Sequence, residues 1–115
     1  MTENCIFCQI VAEKTAGDII YKDDQVTAFP DRQPSAPVHL LIVPNRHITS
    51  LNRISEEDQD LLGHLLIVAR HLAEQQGISQ SGYRLIINTG ADAGQTVFHL
   101  HVHLMGGRQQ PALVR

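Results

Sequence analysis

Residues 98–105 read FHLHVHLM: three histidines, His99, His101 and His103, alternate with Leu100, Val102 and Leu104. Successive side chains of a strand point to opposite faces. The alternation therefore predicts a strand over residues 97–105, with the imidazoles on one face and the aliphatic, buried set on the other. The first and third rings would stand about 13 Å apart, at roughly 3.3 Å per residue. Zinc binds nitrogen at about 2.0–2.1 Å, so one ion reaches a neighbouring pair and hardly all three. Two readings stand at this point. The row is a polar strand face, or it is a set of imidazoles that attack as neutral nucleophiles and pass protons near neutral pH.

The flanking sequence extends the pattern. GADAGQT (90–96) is a loop with two glycines, and YRLIINT (83–89) before it is a second strand. VHLLIVP (38–44) reads as a buried strand ending at Pro44, and the proline-rich PDRQPSAP (30–37) before it is a loop. Ile19–Tyr21 and Val26–Phe29 form a hairpin around the polar turn Lys22–Gln25. Ser55 to Gln76 is a helix. Ser55 and Asp58 suit a capping box, Leu61, Leu62, Leu65, Leu66, Val68, Ala69, Leu72 and Ala73 recur at helical spacing, and Gly77 stops it. Residues 5–13 form a short helix with Ile6, Ile10 and Val11 inward. The sum is an α+β fold, a five-stranded antiparallel sheet with one long helix and a short N-terminal helix. At 115 residues the expectation is one domain, 1–115.

Composition narrows the function. Hydrophobic residues make up 43% and charged residues 18%, as in globular chains, and the net charge of −3 comes without a basic run. Binding to a nucleic-acid backbone is not indicated, and no apolar stretch is long enough to span a bilayer. With no export signal visible, the expected location is the cytoplasm. There the pair Cys5 and Cys8, spaced C-x-x-C, reads as reduced, metal-binding or redox-active rather than as a structural disulfide.

His99-Leu100-His101-Val102-His103-Leu104-Met105 resembles the signature of the histidine triad (HIT) superfamily. GYRLIINTGADAGQTVFHLHVHLMGGR, IFCQI near the start and PVHLLIVPNRHI are similar to its Hint branch, the nucleoside phosphoramidases. The resemblance spans Cys5 to Arg108. It implies hydrolysis of purine nucleoside 5′-phosphoramidates through a nucleotidyl-histidine, releasing a nucleoside monophosphate and an amine. No cofactor is implied for catalysis, and a homodimer is. A dinucleoside polyphosphate hydrolase, a nucleotidyltransferase and a nucleotide-binding scaffold protein are the alternatives.

By the same resemblance His101 is the nucleophile, His103 contacts the α-phosphate, and His39 hydrogen-bonds and orients His101. His99 lies on the leaving-group side and supports the loop. Asn88, Gly94, Gln95 and Thr96, with His103, surround the phosphate; Thr96 stands where the family usually has serine. Phe7, Ile10 and Phe29 enclose the base and Asp31 accepts from the ribose hydroxyls. Arg32 is a departure, since that position is commonly aliphatic. The C-x-x-C of other triad proteins and of galactose-1-phosphate uridylyltransferases implies a structural zinc on Cys5, Cys8, His47 and His99, set away from the nucleophile. His64 and His71 are expected on the surface of the long helix.

Overall fold

A computed structural model describes residues 4–13 and 18–112. Its elements in chain order are α1 (Ile6–Val11), β1 (Tyr21–Lys22), β2 (Val26–Pro30), β3 (Val38–Pro44), α2 (Gln59–Gln75), β4 (Tyr83–Ile86) and β5 (Val102–Gly106). The five strands make one antiparallel sheet in the order β1-β2-β3-β5-β4. The α+β architecture read from the sequence is the one observed.

β3 is the central strand, and it is buried on both faces. Leu40 and Ile42 point to α2, where they meet Leu65, Val68, Ala69 and Leu72, together with Leu100, Val102 and Leu104. Leu41 and Val43 point the other way, into a second cluster with Cys5, Phe7, Ile10 and Phe29. A strand buried on both faces reads as a continuous apolar run, which is why VHLLIVP shows no alternation. His39 shares the face of Leu41, the face that carries the site.

α2 begins as expected, after a single 3₁₀ turn over Glu56–Asp58. The Asp58 carboxylate accepts from the Ser55 backbone N–H at 3.0 Å and from Arg46 at 2.6 Å. The helix therefore starts tied to the segment that follows β3. It ends at Gly77, whose φ of +74° suits glycine and few other residues. Leu66 departs from the helical pattern: it is 49% exposed, as is Ile67. In α1 the buried residues are Phe7 and Ile10, and Ile6 and Val11 are only half-buried. His64 is not a free surface residue either, because its Nε2 lies 2.6 Å from the Asp23 carboxylate of the β1–β2 turn. β4 ends at Ile86, short of the expected Thr89.

The largest correction concerns FHLHVHLM, of which only Val102 onward is in the ladder. Register places Ile42 opposite Val102, so Leu100 would fall opposite Pro44. Proline offers no N–H to a ladder, and the Pro44 carbonyl is occupied by the His99 ring at 2.8 Å. Leu100 N–H bonds Ile48 O instead, at 2.7 Å. The division into faces survives this. The aliphatic residues enter the α2 core, and Phe7 of α1 packs on both His99 and His101. His99 and His101 are buried and His103 is half-buried, which is why the polar-strand-face reading fails.

Candidate active site and metal centre

A cleft of about 760 Å³ opens on the α1 side of the sheet, within the range of small-molecule sites. Ile6, Phe7 and Ile10 come from α1, Phe29 from the end of β2, and Asp31, Arg32, Gln33 and Ser35 from the proline-rich loop. β3 supplies His39 and Leu41, the far wall holds Asn88, Gly94 and Thr96, and His101 and His103 face the space between. An apolar slot thus leads to a polar end that carries two imidazoles.

The hydrogen-bond partners fix where each ring proton sits. His101 Nδ1 lies 2.7 Å from the backbone carbonyl of His99. A carbonyl only accepts, so Nδ1 carries the proton and Nε2 keeps its lone pair. His39 Nδ1 lies 2.9 Å from the Ser35 backbone N–H. A backbone N–H only donates, so the His39 proton is at Nε2. That nitrogen is 2.9 Å from His103 Nδ1 and 3.3 Å from Asp31 Oδ2. His103 therefore accepts at Nδ1 and, when neutral, carries its proton at Nε2. One ring is left with a free lone pair and its neighbour with a donor, their centroids 5.1 Å apart.

The partner of His39 is thus His103 rather than His101, which corrects the expectation. Leu41 lies opposite His103 and His39 opposite Met105, so His39 and His103 are diagonal neighbours on one face. His101 lies beyond the end of the ladder and takes its support from its own chain.

Burial lowers the pKa of His101 below the ordinary value, opposed by its bond to the His99 carbonyl and by the Asp31 charge. Burial, joined by the facing His101 and His39, holds His103 down at about 4. This has a consequence for stability. An unfolded histidine takes up its proton near pH 6.5, whereas folded His103 resists until about pH 4. Between these values the unfolded chain binds more protons, so stability falls as pH drops through that window. Urea midpoints should decline from pH 7 to pH 5 in the parent protein and less steeply in His103→Gln. Equal slopes would contradict the assignment.

Not every expected phosphate residue reaches the cleft. Gln95 is buried and bonds Gly90 N–H, Thr49 O and Val97 O. It braces the 90–96 loop and does not line the cleft. Asn88 lines the cleft and also donates to Ala93 O at 2.8 Å. Gly94, at φ +83°, makes the turn that presents Thr96. Asp18, Gln33 and Ser35 were not anticipated. Ser35 acts through its backbone N–H, which no residue-type pattern betrays.

His99 is fully buried and does not line the cleft, contrary to its expected place on the leaving-group side. Its Nδ1 stands 3.3 Å from Cys5 Sγ and 3.5 Å from Cys8 Sγ, and Cys8 Sγ is 3.3 Å from His47 Nδ1. All four donor atoms lie within 4.8 Å of one another. Tetrahedral zinc with bonds of about 2.0–2.3 Å needs donors roughly 3.3–3.8 Å apart, so the set fits. The tautomer fits as well. His99 Nε2–H donates to Pro44 O, which leaves Nδ1 unprotonated and turned to the thiols. This is the carbonyl-supported arrangement typical of a metal-binding histidine. Burial and the neighbouring Cys5 push the Cys8 thiol up to about 11, and a bound cation favours the thiolate instead. Asp31, His39 and His103 also bring three donor atoms together. There the Ser35 N–H forces the proton onto His39 Nε2, so that trio is a hydrogen-bond chain and not a ligand set.

The antiparallel sheet thus presents a histidine with a free Nε2 lone pair at the polar end of the cleft. The family model described as "Scavenger mRNA decapping enzyme C-term binding" matches residues 4–113, and the chain belongs to the histidine triad family. The purine nucleoside phosphoramidase of Escherichia coli strain K12 is 49% identical over 108 residues, covering 94% of this chain and 91% of that protein. A HIT family hydrolase from Clostridium thermocellum superposes with a TM-score of 0.93 at 45% identity, over 97% of this chain and 98% of that one. A histidine triad protein from Clostridium difficile gives 0.93 at 40%, over 96% of each. No helix among the described residues is long and apolar enough to cross a membrane.

Proposed function

We propose that this HIT-family hydrolase cleaves the P–N bond of purine nucleoside 5′-phosphoramidates through a nucleotidyl-histidine on His101. The observation that carries the reading is the bond from His101 Nδ1 to the His99 carbonyl, which leaves Nε2 as a neutral nucleophile in the cleft. The base sits between Phe7, Ile10 and Phe29, the ribose near Asp31 and the α-phosphate near His103, Asn88 and Thr96. His101 Nε2 forms a bond to phosphorus as the P–N bond breaks, and the departing amine takes its proton from His103 Nε2–H. Water then attacks phosphorus and returns a proton to His103 as the P–His101 bond breaks and the nucleoside monophosphate leaves. No bond in either step is made to or broken at the Cys/His centre. Arg32 brings a cation to the nucleoside end of the cleft, where the Hint pattern is aliphatic. Turnover of adenosine and guanosine phosphoramidates, compared with that of a diadenosine polyphosphate, tests the reading. Preference for the polyphosphate would replace it with a dinucleoside polyphosphate hydrolase, and absence of turnover on all three with a binding protein.

His39 places the His103 donor within this scheme. His39→Ala should slow nucleotidyl-histidine formation by roughly 10²-fold, the low end for groups that place a transferring proton. It should slow the step less than loss of His101 does, because the nucleophile keeps its own support. Single-turnover kinetics with an unchanged first step would remove His39 from the mechanism.

The same reading includes a homodimer joined along β4. That strand is a sheet edge, and its side chains Tyr83 and Leu85, with Ile87 just beyond, are each more than a third exposed. A free apolar edge invites pairing with a second chain, and an antiparallel edge pairs with its own copy about a two-fold axis. Leu85→Glu should convert the dimer to a monomer in sedimentation velocity; a parent chain already monomeric at tens of micromolar would refute the dimer.

A further inference from the structure

We propose that the Cys5–Cys8–His47–His99 centre is a positioning device for His101, and that a thiophilic divalent cation of the zinc class bound there sets the rate of the first chemical step. The inference rests on the nucleophile reading of His101 and goes beyond it. It also reverses the expectation that the metal centre stands apart from the chemistry.

Two routes connect the centre to the nucleophile. The first runs through His99. Its side chain is fixed at Nε2 by Pro44 O and turns Nδ1 to the two thiols, while its backbone carbonyl, 2.7 Å from His101 Nδ1, holds the nucleophile's ring proton. Residues 99–101 lie outside the β-ladder, so no strand partner holds that carbonyl in place. The same peptide is tied on its N–H side by the Leu100 bond to Ile48 O at 2.7 Å, and its remaining freedom depends on how firmly the His99 side chain is gripped. The second route runs through α1. Cys5 and Cys8 flank Phe7, and Cys5 is the N-cap of this six-residue helix, its sulfur accepting from Cys8 N–H. The Phe7 ring meets the His101 ring edge-on, with centroids 5.1 Å apart and planes at 90°. A helix of under two turns has little stability of its own. A cation tying Cys5 and Cys8 to His47, from the loop after β3, and to His99 fixes both the floor under the His101 ring and the anchor of its Nδ1. Partners outside the ligand shell commonly tune a site by about 10–100-fold, and here the tuned group is the nucleophile rather than the metal.

The test compares three states of the full chain: zinc-loaded, stripped with a chelator, and His47→Asn, which leaves both α1 and the triad segment unaltered. Metal content is measured directly, and folding is checked by near-ultraviolet circular dichroism. In loaded protein, nitrogen-15 spectra of the imidazoles should show His101 as a single Nδ1–H tautomer. Stripped protein should show a mixture, and zinc should restore the single form. Nucleotidyl-histidine formation should fall at least about tenfold on stripping, by clearly more than the loss of adenosine monophosphate affinity that loosening the α1 wall brings, and zinc should restore the rate. Cobalt, whose absorption reports tetrahedral thiolate ligation, should restore it too. A stripped or His47→Asn protein that stays folded, keeps the single tautomer and keeps the first-step rate would overturn the proposal. So would a rate loss matched by an equal loss of nucleotide affinity. The tautomer readout needs no substrate, so a loaded protein inactive on phosphoramidates but showing the metal-dependent tautomer would refute the catalytic reading and leave the coupling standing.

Discussion

His101→Ala should abolish phosphoramidate turnover, with a loss on the order of 10⁴-fold or more, and leave nucleoside monophosphate affinity within a few-fold. Removing the nucleophile of a covalent mechanism costs several orders of magnitude in rate, because no neighbouring group supplies the missing bond. Binding should persist because the walls of the slot, Phe7, Ile10 and Phe29, and the polar groups Asp31 and His103 are untouched. The substitution leaves a small space beneath Phe7, and the His99 carbonyl loses one donor. His101→Gln keeps more volume and should be equally inactive, which separates lost chemistry from lost packing. Intact-mass analysis after a rapid quench should find a nucleotidyl adduct on the parent chain and none on either variant. An adduct that survives in His101→Ala would move the nucleophile to another residue, and His103 would be the first candidate.

Zinc should stabilise the fold by an amount that denaturation resolves easily. A cation present at about a hundred times its dissociation constant, bound only to the folded state, adds about 2.7 kcal/mol. For a domain of this size that shifts the unfolding midpoint by roughly 10 °C. The gain comes from tying α1, the loop after β3 and the His99 segment into one point. Cys5→Ser with Cys8→Ser should abolish the zinc-dependent shift and leave the chain with the midpoint of stripped parent protein, or slightly below it. A midpoint indifferent to zinc in the parent chain would count against these four residues as ligands. Retention of a full equivalent of metal in the double variant would do the same.

Much of this site could be read in the chain before it was folded. The alternation in FHLHVHLM separates Leu100, Val102 and Leu104 from the imidazoles, and the folded protein keeps that separation. The apolar run of β3, the periodicity of α2 and the stop at Gly77 are local patterns obeying local rules, so sequence sufficed for them. So did the gathering of Cys5, Cys8, His47 and His99, implied by their match to zinc-binding triad proteins. The strand ending at Val102 was not legible. It depends on the β3–β5 register, which sets Leu100 against a proline some 56 positions earlier in the chain. The pairing of His39 with His103 has the same origin, since two strands distant in sequence decide which rings become diagonal neighbours. The sequence by itself determined which residue types are present for imidazole chemistry and which face of each element is buried. Tertiary structure alone decided where the protons sit. Tautomers follow from single contacts, a Ser35 N–H facing one ring and a His99 carbonyl facing another, and backbone donors and acceptors are the same for nearly every residue until the chain folds.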